Sequence, residues 1–389
     1  MRKKSALILF FLLLGGLIFF YFSSLQRVWW SALVLSELMR FESQGWLGNW
    51  TDPPKIKEFS YAGPSGPVVA DLYLPQPERK RAAILINHGV VDTGKDDPRL
   101  KRFAEILCRS GFVVFVPDFK SMRSFRIAPS DIEEIQAAFE NLISLKEHIL
   151  PQSCGLFGFS YGAGPTISAA CQPLIGQRVR FVVSFGGYYD LKNVLSFLAT
   201  GHFQFQGKRY FRKPQEYGKW VFLANNLDFV QGQEDRSILR SILQLKLRDE
   251  KAPIERFWPR LGEEGKNILT LLSHSDPSQT ESLIQKLPLS VRASIDALSL
   301  ATVLPGLKAN LILAHGEDDD LIPFTETLRL AQAVPDSRQV YLRVLKSFYH
   351  VDPDSRPWTL KNIMTFHLPE GWKLFGLTHQ LMKYREEAS

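Results

Sequence analysis

The chain has 389 residues, 45% of them apolar, and a formal net charge of +7. Such an apolar share builds a full core without disulfides, and the basic residues are scattered among acidic ones, which excludes a nucleic-acid-binding stripe. The densest basic cluster, Glu78-Arg79-Lys80-Arg81, reads as a solvated turn, and Cys108, Cys154 and Cys171 read as buried free thiols, with no spacing that suits a metal and none that implies a cofactor.

Met1-Arg2-Lys3-Lys4 precedes an uncharged apolar run from Ser5 to Phe22, long enough to cross a bilayer as one helix. The run ends without an A-x-A-like cleavage site, and Trp29 and Trp30 follow at a place suited to a membrane boundary. The expectation is an uncleaved anchor over residues 1–24, with secretion after signal cleavage as the alternative. Cations ahead of the span put the N-terminus in the cytoplasm and the large domain on the other side, periplasmic in a bacterium. Residues 25–54 form a juxtamembrane linker; within it, Ser31 to Phe41 extends the membrane helix, lies on the membrane, or docks on the domain. Asn49-Trp50-Thr51 fits a glycosylation acceptor, a single short triplet.

Lys55–Tyr61 and Val68–Leu74 read as two antiparallel strands around the turn Gly63-Pro64-Ser65-Gly66-Pro67. Ala82–Asn87 and Phe112–Val116 are continuous apolar runs of strand length, and Arg99–Arg109 between them has helical spacing that Gly111 stops. An amphipathic helix over Ser130–Lys146, a strand at Gly155–Phe159, a helix through Thr166–Cys171 and a strand at Val179–Phe185 follow. After a gap come a strand at Asn310–Ala314, a helix near Thr325–Ala333 and a strand at Val340–Leu345. Apolar strands without period-two alternation, separated by amphipathic helices, make an α/β protein with a mainly parallel sheet covered on both faces. The core is divided into residues 55–190 and 308–389. The gap, 191–307, carries helical patterns at Ser237–Leu247 and Glu281–Leu298 and many aromatics, and reads as a helical cap over the carboxyl edge of the sheet. A C-terminal amphipathic stretch (Trp372, Leu374, Phe375, Leu377, Leu381, Met382) reads as a helix packed on the sheet, with a bilayer contact as the alternative.

Gly158-Phe159-Ser160-Tyr161-Gly162 follows a short apolar strand and opens a small-residue helix. In that strand–turn–helix setting a serine hydroxyl protrudes from a strained turn, and the glycines avoid Cβ clashes. A nucleophilic serine needs a histidine base, and the base needs a carboxylate to fix its tautomer. Downstream, a strand leads into His315-Gly316-Glu317-Asp318-Asp319-Asp320-Leu321-Ile322-Pro323, and another into Ser347-Phe348-Tyr349-His350. Of the histidines beyond the acidic loop (His350, His367, His379), only His350 sits directly after a strand.

These motifs resemble the α/β-hydrolase superfamily, in the branch with dienelactone hydrolase-like and prolyl-oligopeptidase-like enzymes, over roughly residues 55–352 less the insertion. The resemblance implies Ser160 as nucleophile, His350 as base and, from the H-G-x-x-D-x-x-[VI]-P pattern, Asp319 as acid, with Asp318 and Asp320 as adjacent alternatives. It further implies that His88-Gly89 leads into the oxyanion hole, formed by the backbone N–H groups of Val90 (or Val91) and Tyr161, with His88 structural. Two departures stand. Dienelactone hydrolases proper carry cysteine where this chain has Ser160, and the loop Phe119-Lys120-Ser121-Met122-Arg123 lacks the usual glycine-rich turn. The N-terminal part has no room for a β-propeller, which argues against a prolyl oligopeptidase proper. The implied activity is a carboxylesterase-like serine hydrolase on a small ester or thioester; the alternatives are a peptidase or amidase on short substrates, and a catalytically silent binding protein. The sequence implies no oligomeric state.

Overall fold

The computed structural model describes residues 24–39, 45–335, 338–353 and 356–386. The run Ser5–Phe22, read above as a membrane span, lies outside them; among the described residues no helix is long and apolar enough to cross a membrane.

Among the described residues the first element is helix α1, described over residues 24–38. Strands β1 (Lys55–Gly63), β2 (Gly66–Leu74) and β3 (Arg81–Asn87) follow, then α2 (Pro98–Arg109), β4 (Val113–Pro117), α3 (Ser130–Ser144), β5 (Ile149–Phe159), α4 (Ala163–Cys171) and β6 (Val179–Phe185). The insertion holds α5 (Leu191–Thr200), β7 (His202–Phe205), β8 (Lys208–Phe211), α6 (Glu216–Asn225), α7 (Gln233–Lys246), α8 (Glu263–Ser273), α9 (Thr280–Gln285) and α10 (Leu289–Leu298). The chain closes with β9 (Asn310–Gly316), α11 (Thr325–Ala333), β10 (Val340–Leu345) and α12 (Leu368–Glu386).

Eight strands form one sheet in the order β1-β2-β4-β3-β5-β6-β9-β10. β2 runs antiparallel to both β1 and β4, and the other neighbours are parallel. The central strands are buried along their length because each face has its own cover. On one face Ala83, Leu85, Val113 and Phe115 join Ile135, Phe139 and Ile167 of α3 and α4. On the other, Ala82, Ile84, Ile86, Val114 and Val116 join α2, α12 and α1 through Leu107, Met382 and Leu33. Alternate residues of an unbroken apolar run therefore serve opposite layers. Helix α2 begins where Asp97 accepts hydrogen bonds from the N–H groups of Arg99 and Leu100, with Pro98 in the first turn. It ends as expected before Gly111, whose φ of +111° favours glycine.

Two expectations left open resolve among the described residues. The segment after Ser31 docks on the domain: Ser31, Leu33, Val34 and Glu37 are buried, and the Thr378 hydroxyl of α12 lies 3.4 Å from the Ser31 carbonyl. The C-terminal stretch packs on the sheet layer through Leu377, Leu381 and Met382, and Tyr384 stacks on Phe181 at 4.3 Å. The three cysteines are buried and free.

The insertion differs from its reading in two details. The pattern over Glu281–Leu298 is two helices, α9 and α10, separated ahead of Pro288, which cannot supply a helical N–H. Between α5 and α6 stands the hairpin β7–β8, which the helical patterns did not reveal. Its turn residues Gln206 and Gly207 both have positive φ, 48° and 78°, as a tight two-residue hairpin turn requires. The insertion has its own apolar core, around Trp220, Leu239, Ile242, Leu269 and Ile284. It reaches the loops at the carboxyl edge of the sheet on two sides. Arg212 pairs with Asp318 and the Gln215 N–H donates to the Asp320 carbonyl at 3.0 Å. Farther along, the Ile127 N–H donates to Asn226 Oδ1 at 3.3 Å.

Candidate active site

The turn at the end of β5 places Ser160 at φ +52°, a left-handed conformation that a non-glycine residue adopts only under local strain. A Cβ on Gly158 would lie 2.6 Å from the Ala163 Cα, and one on Gly162 2.8 Å from Asn87 Oδ1. Both flanking glycines are thus demanded by close packing. Asn87, at the end of β3, ties the turn down: its Nδ2 donates to the Gly162 carbonyl (3.1 Å) and its Oδ1 accepts from the Gly89 N–H (3.1 Å). Gly89, at φ +72°, has no room for a Cβ because the Phe159 carbonyl would lie 2.6 Å away. The His88–Val90 loop therefore lies directly against the serine turn, with Val90 half-buried and Tyr161 buried. The Tyr161 hydroxyl donates to Asp131 Oδ2 at 2.8 Å and its ring stacks on Tyr188, which holds that residue in place.

His88 is structural. Its Nδ1 donates to the Gly89 carbonyl (2.7 Å), and its Nε2 accepts from the Phe119 N–H (3.1 Å). Burial pushes its pKa from 6.5 down to about 4. The sign follows from linkage: the unfolded chain takes up this proton first, so the stabilisation is complete above pH 6.5 and is lost as pH falls from there towards about 4. At 1.36 kcal/mol per unit this amounts to about 3 kcal/mol. Urea unfolding at successive pH values is expected to show a shallower loss across that window in His88→Gln than in the unsubstituted protein.

His350, on the loop after β10, faces Ser160. Its Nε2 lies 2.7 Å from the Ser160 Oγ and its Nδ1 2.5 Å from Asp319 Oδ2. Asp319 is buried; its Oδ1 accepts the N–H groups of Leu321 and Ile322, each at 2.8 Å. Asp318 is turned to Arg212 instead. Three residues from three strand ends are therefore joined in line, with Nδ1 as donor to the carboxylate and Nε2 as acceptor from the serine hydroxyl. Burial opposes the Asp319 charge, but His350 and His315 beside it hold its carboxyl well below the usual carboxylate range. For His350, burial disfavours the imidazolium, yet the Asp319 charge and hydrogen bond outweigh it and lift the pKa above 6.5.

Several contributors were not assigned from the sequence. His315, first residue of the acidic motif, has its Nε2 3.2 Å from Asp319 Oδ2 and 2.9 Å from the Ile322 carbonyl, while its Nδ1 meets the Thr327 hydroxyl at 2.6 Å. It is a second imidazole holding the acid. Gly186, after β6, lies beside His350 with φ +66°, a backbone conformation that favours glycine; a Cβ there would sit in ordinary contact, 3.5 Å from the imidazole Cε1. Gly316 has no room for any side chain, because the Tyr349 carbonyl of the His350 loop lies against it.

No protein-family model matches the sequence, and no curated protein matches it. Solved structures do match. The Pyrococcus horikoshii acylaminoacyl peptidase is 13% identical with a TM-score of 0.50, over 87% of this chain and 42% of that one. A puromycin-hydrolyzing peptidase from Mycobacterium tuberculosis is 14% identical, also at 0.50, over 86% of this chain and 39% of that one. The chain thus spans about two fifths of the length of these structures. Likeness at this identity concerns the fold alone. The chain has the α/β-hydrolase fold.

Proposed function

We propose that this protein is a serine hydrolase that cleaves an acyl bond through an acyl-enzyme on Ser160. The observation that carries the reading is the unbroken line from the Ser160 Oγ through His350 to the buried Asp319. His350 takes the serine proton as Oγ attacks the substrate carbonyl, and returns it to the leaving group; water then repeats the cycle and frees the acid. Asp319 keeps the imidazole in the Nδ1–H tautomer and stabilises the imidazolium. The N–H groups of Val90 and Tyr161 receive the developing oxyanion.

The bond class has two readings. The sequence resemblance favoured a small ester, whereas the solved structures at TM-score 0.50 are named as peptidases, which favours an amide in a short substrate. A panel of p-nitrophenyl esters and aminoacyl arylamides separates them by kcat/KM. Turnover of neither class would count against a hydrolase and for a silent binding protein.

A pH dependence follows from the lifted His350 pKa. The base must be neutral, so kcat/KM falls about tenfold per pH unit below that pKa and is flat above it. The midpoint of the acid limb is expected above 6.5, and a pH–rate profile places it. We propose in addition that the run Ser5–Phe22 tethers the domain to a membrane, with the domain on the non-cytoplasmic side.

A further inference from the structure

Helix α1 has apolar residues on two sides, and Trp30, Leu33, Val34 and Leu38 pack on the domain. Its polar side chains Ser31 and Glu37 face the domain and are buried with Leu33 and Val34. Glu37 is satisfied there by the Gly45 N–H (2.8 Å), the Gly48 N–H (3.3 Å) and Arg102 (2.6 Å). The opposite side carries Leu25, Val28, Trp29 and Met39, a spacing that keeps them on one stripe. The returning chain adds to the same stripe. Trp46 is held beside it by its N–H on the Ser36 hydroxyl (3.2 Å), and Trp50 packs edge-on against Trp29 with ring centroids 5.2 Å apart. These six large apolar residues are between 41% and 63% exposed.

Isolated exposed apolar side chains are ordinary, but six large ones gathered on one side of α1 and the returning chain need a partner. The chain itself indicates which one. The uncharged apolar run ends at Phe22, two residues before the described part of α1. Whatever environment accepts that run starts at the Leu25 end of the stripe. Tryptophan is the residue favoured where hydrocarbon meets headgroups, and three of the six are tryptophan.

We infer that the stripe formed by α1 and residues 46–50 is a membrane seat: it lies in the interfacial layer of the bilayer, so that the catalytic domain rests on the surface instead of swinging from a tether. This rests on the tether reading proposed above and adds a fixed orientation to it. Helix α1 covers a face of the sheet, whereas Ser160 opens at the carboxyl edge of the strands. The seat therefore leaves the serine turn facing along the membrane.

The test uses the full chain reconstituted in phosphatidylcholine vesicles containing a phospholipid with a photoactivatable diazirine near the headgroup. After flotation and irradiation, adducts are mapped by mass spectrometry. The expected result is labelling concentrated on residues 24–39 and 45–51, reduced several-fold by Trp46→Glu with Trp50→Glu while flotation is unchanged. If the protein floats but adducts are confined to residues before 24, or gather on the exposed stripe Leu360, Met364, Leu368 and Trp372, the seat is overturned and the tether stands. If the protein does not float, both readings fall.

Discussion

Ser160→Ala is expected to lower kcat by on the order of 10⁶-fold while leaving folding and substrate binding close to unchanged. The hydroxyl is the only atom lost, and the cost is large because no neighbouring group can form the covalent intermediate in its place. What remains is the catalysis of a bound substrate held at the Val90 and Tyr161 N–H groups, with His350 still able to activate a water. Stability is expected to hold or to rise slightly, because alanine at φ +52° retains the backbone conformation and exposes less polar surface. Active-site titration and steady-state kinetics with the better substrate class measure both quantities.

Asp319→Asn is expected to lower kcat by about 10⁴-fold with little change in KM, through the tautomer of His350. The asparagine oxygen can still accept the N–H groups of Leu321 and Ile322, which meet Asp319 Oδ1 at 2.8 Å. Its amide nitrogen then faces His350 Nδ1 and His315 Nε2, the two imidazole atoms that met Asp319 Oδ2. Nδ1 can meet that amide only as an acceptor, so the imidazole carries its proton on Nε2 and presents it to Ser160. A base in that state cannot take the serine proton. Because the Asp319 charge is what lifts the His350 pKa, the acid limb of the pH profile also moves down. A variant of equal kcat loss with an unmoved limb would point to misplacement of the loop and away from electrostatics.

The central sheet was legible because its strands contain continuous apolar runs, and such runs between amphipathic helices have few other solutions. β5 was read from Gly155, but it begins at Ile149; the polar stretch Pro151-Gln152-Ser153 hides its start, where the register with β3 shifts. The hairpin β7–β8 escaped because it is short, no residue in it is fully buried, and its turn pair is Gln-Gly instead of Asn-Gly.

Ser160 and His350 could be picked out because each follows a strand, whereas Asp319 was singled out among three neighbouring aspartates only through the resemblance to the H-G-x-x-D-x-x-[VI]-P pattern. The second imidazole on Asp319 and the left-handed backbone at Gly186 could not be picked out. What favours glycine at 186 is its left-handed backbone, φ +66°, and no local pattern carries that. The orientation of α1 was likewise open in the sequence, since an all-round apolar helix suits a membrane, a surface or a core equally. Burial of Ser31 and Glu37 decides which side faces the domain.

The most direct measurement is reaction with a fluorophosphonate followed by mass spectrometry of the intact protein and its peptides. The account predicts one adduct per chain, on Ser160, absent from Ser160→Ala and strongly slowed in His350→Ala. Failure of the unsubstituted protein to react, or equal labelling of Ser160→Ala, would contradict it.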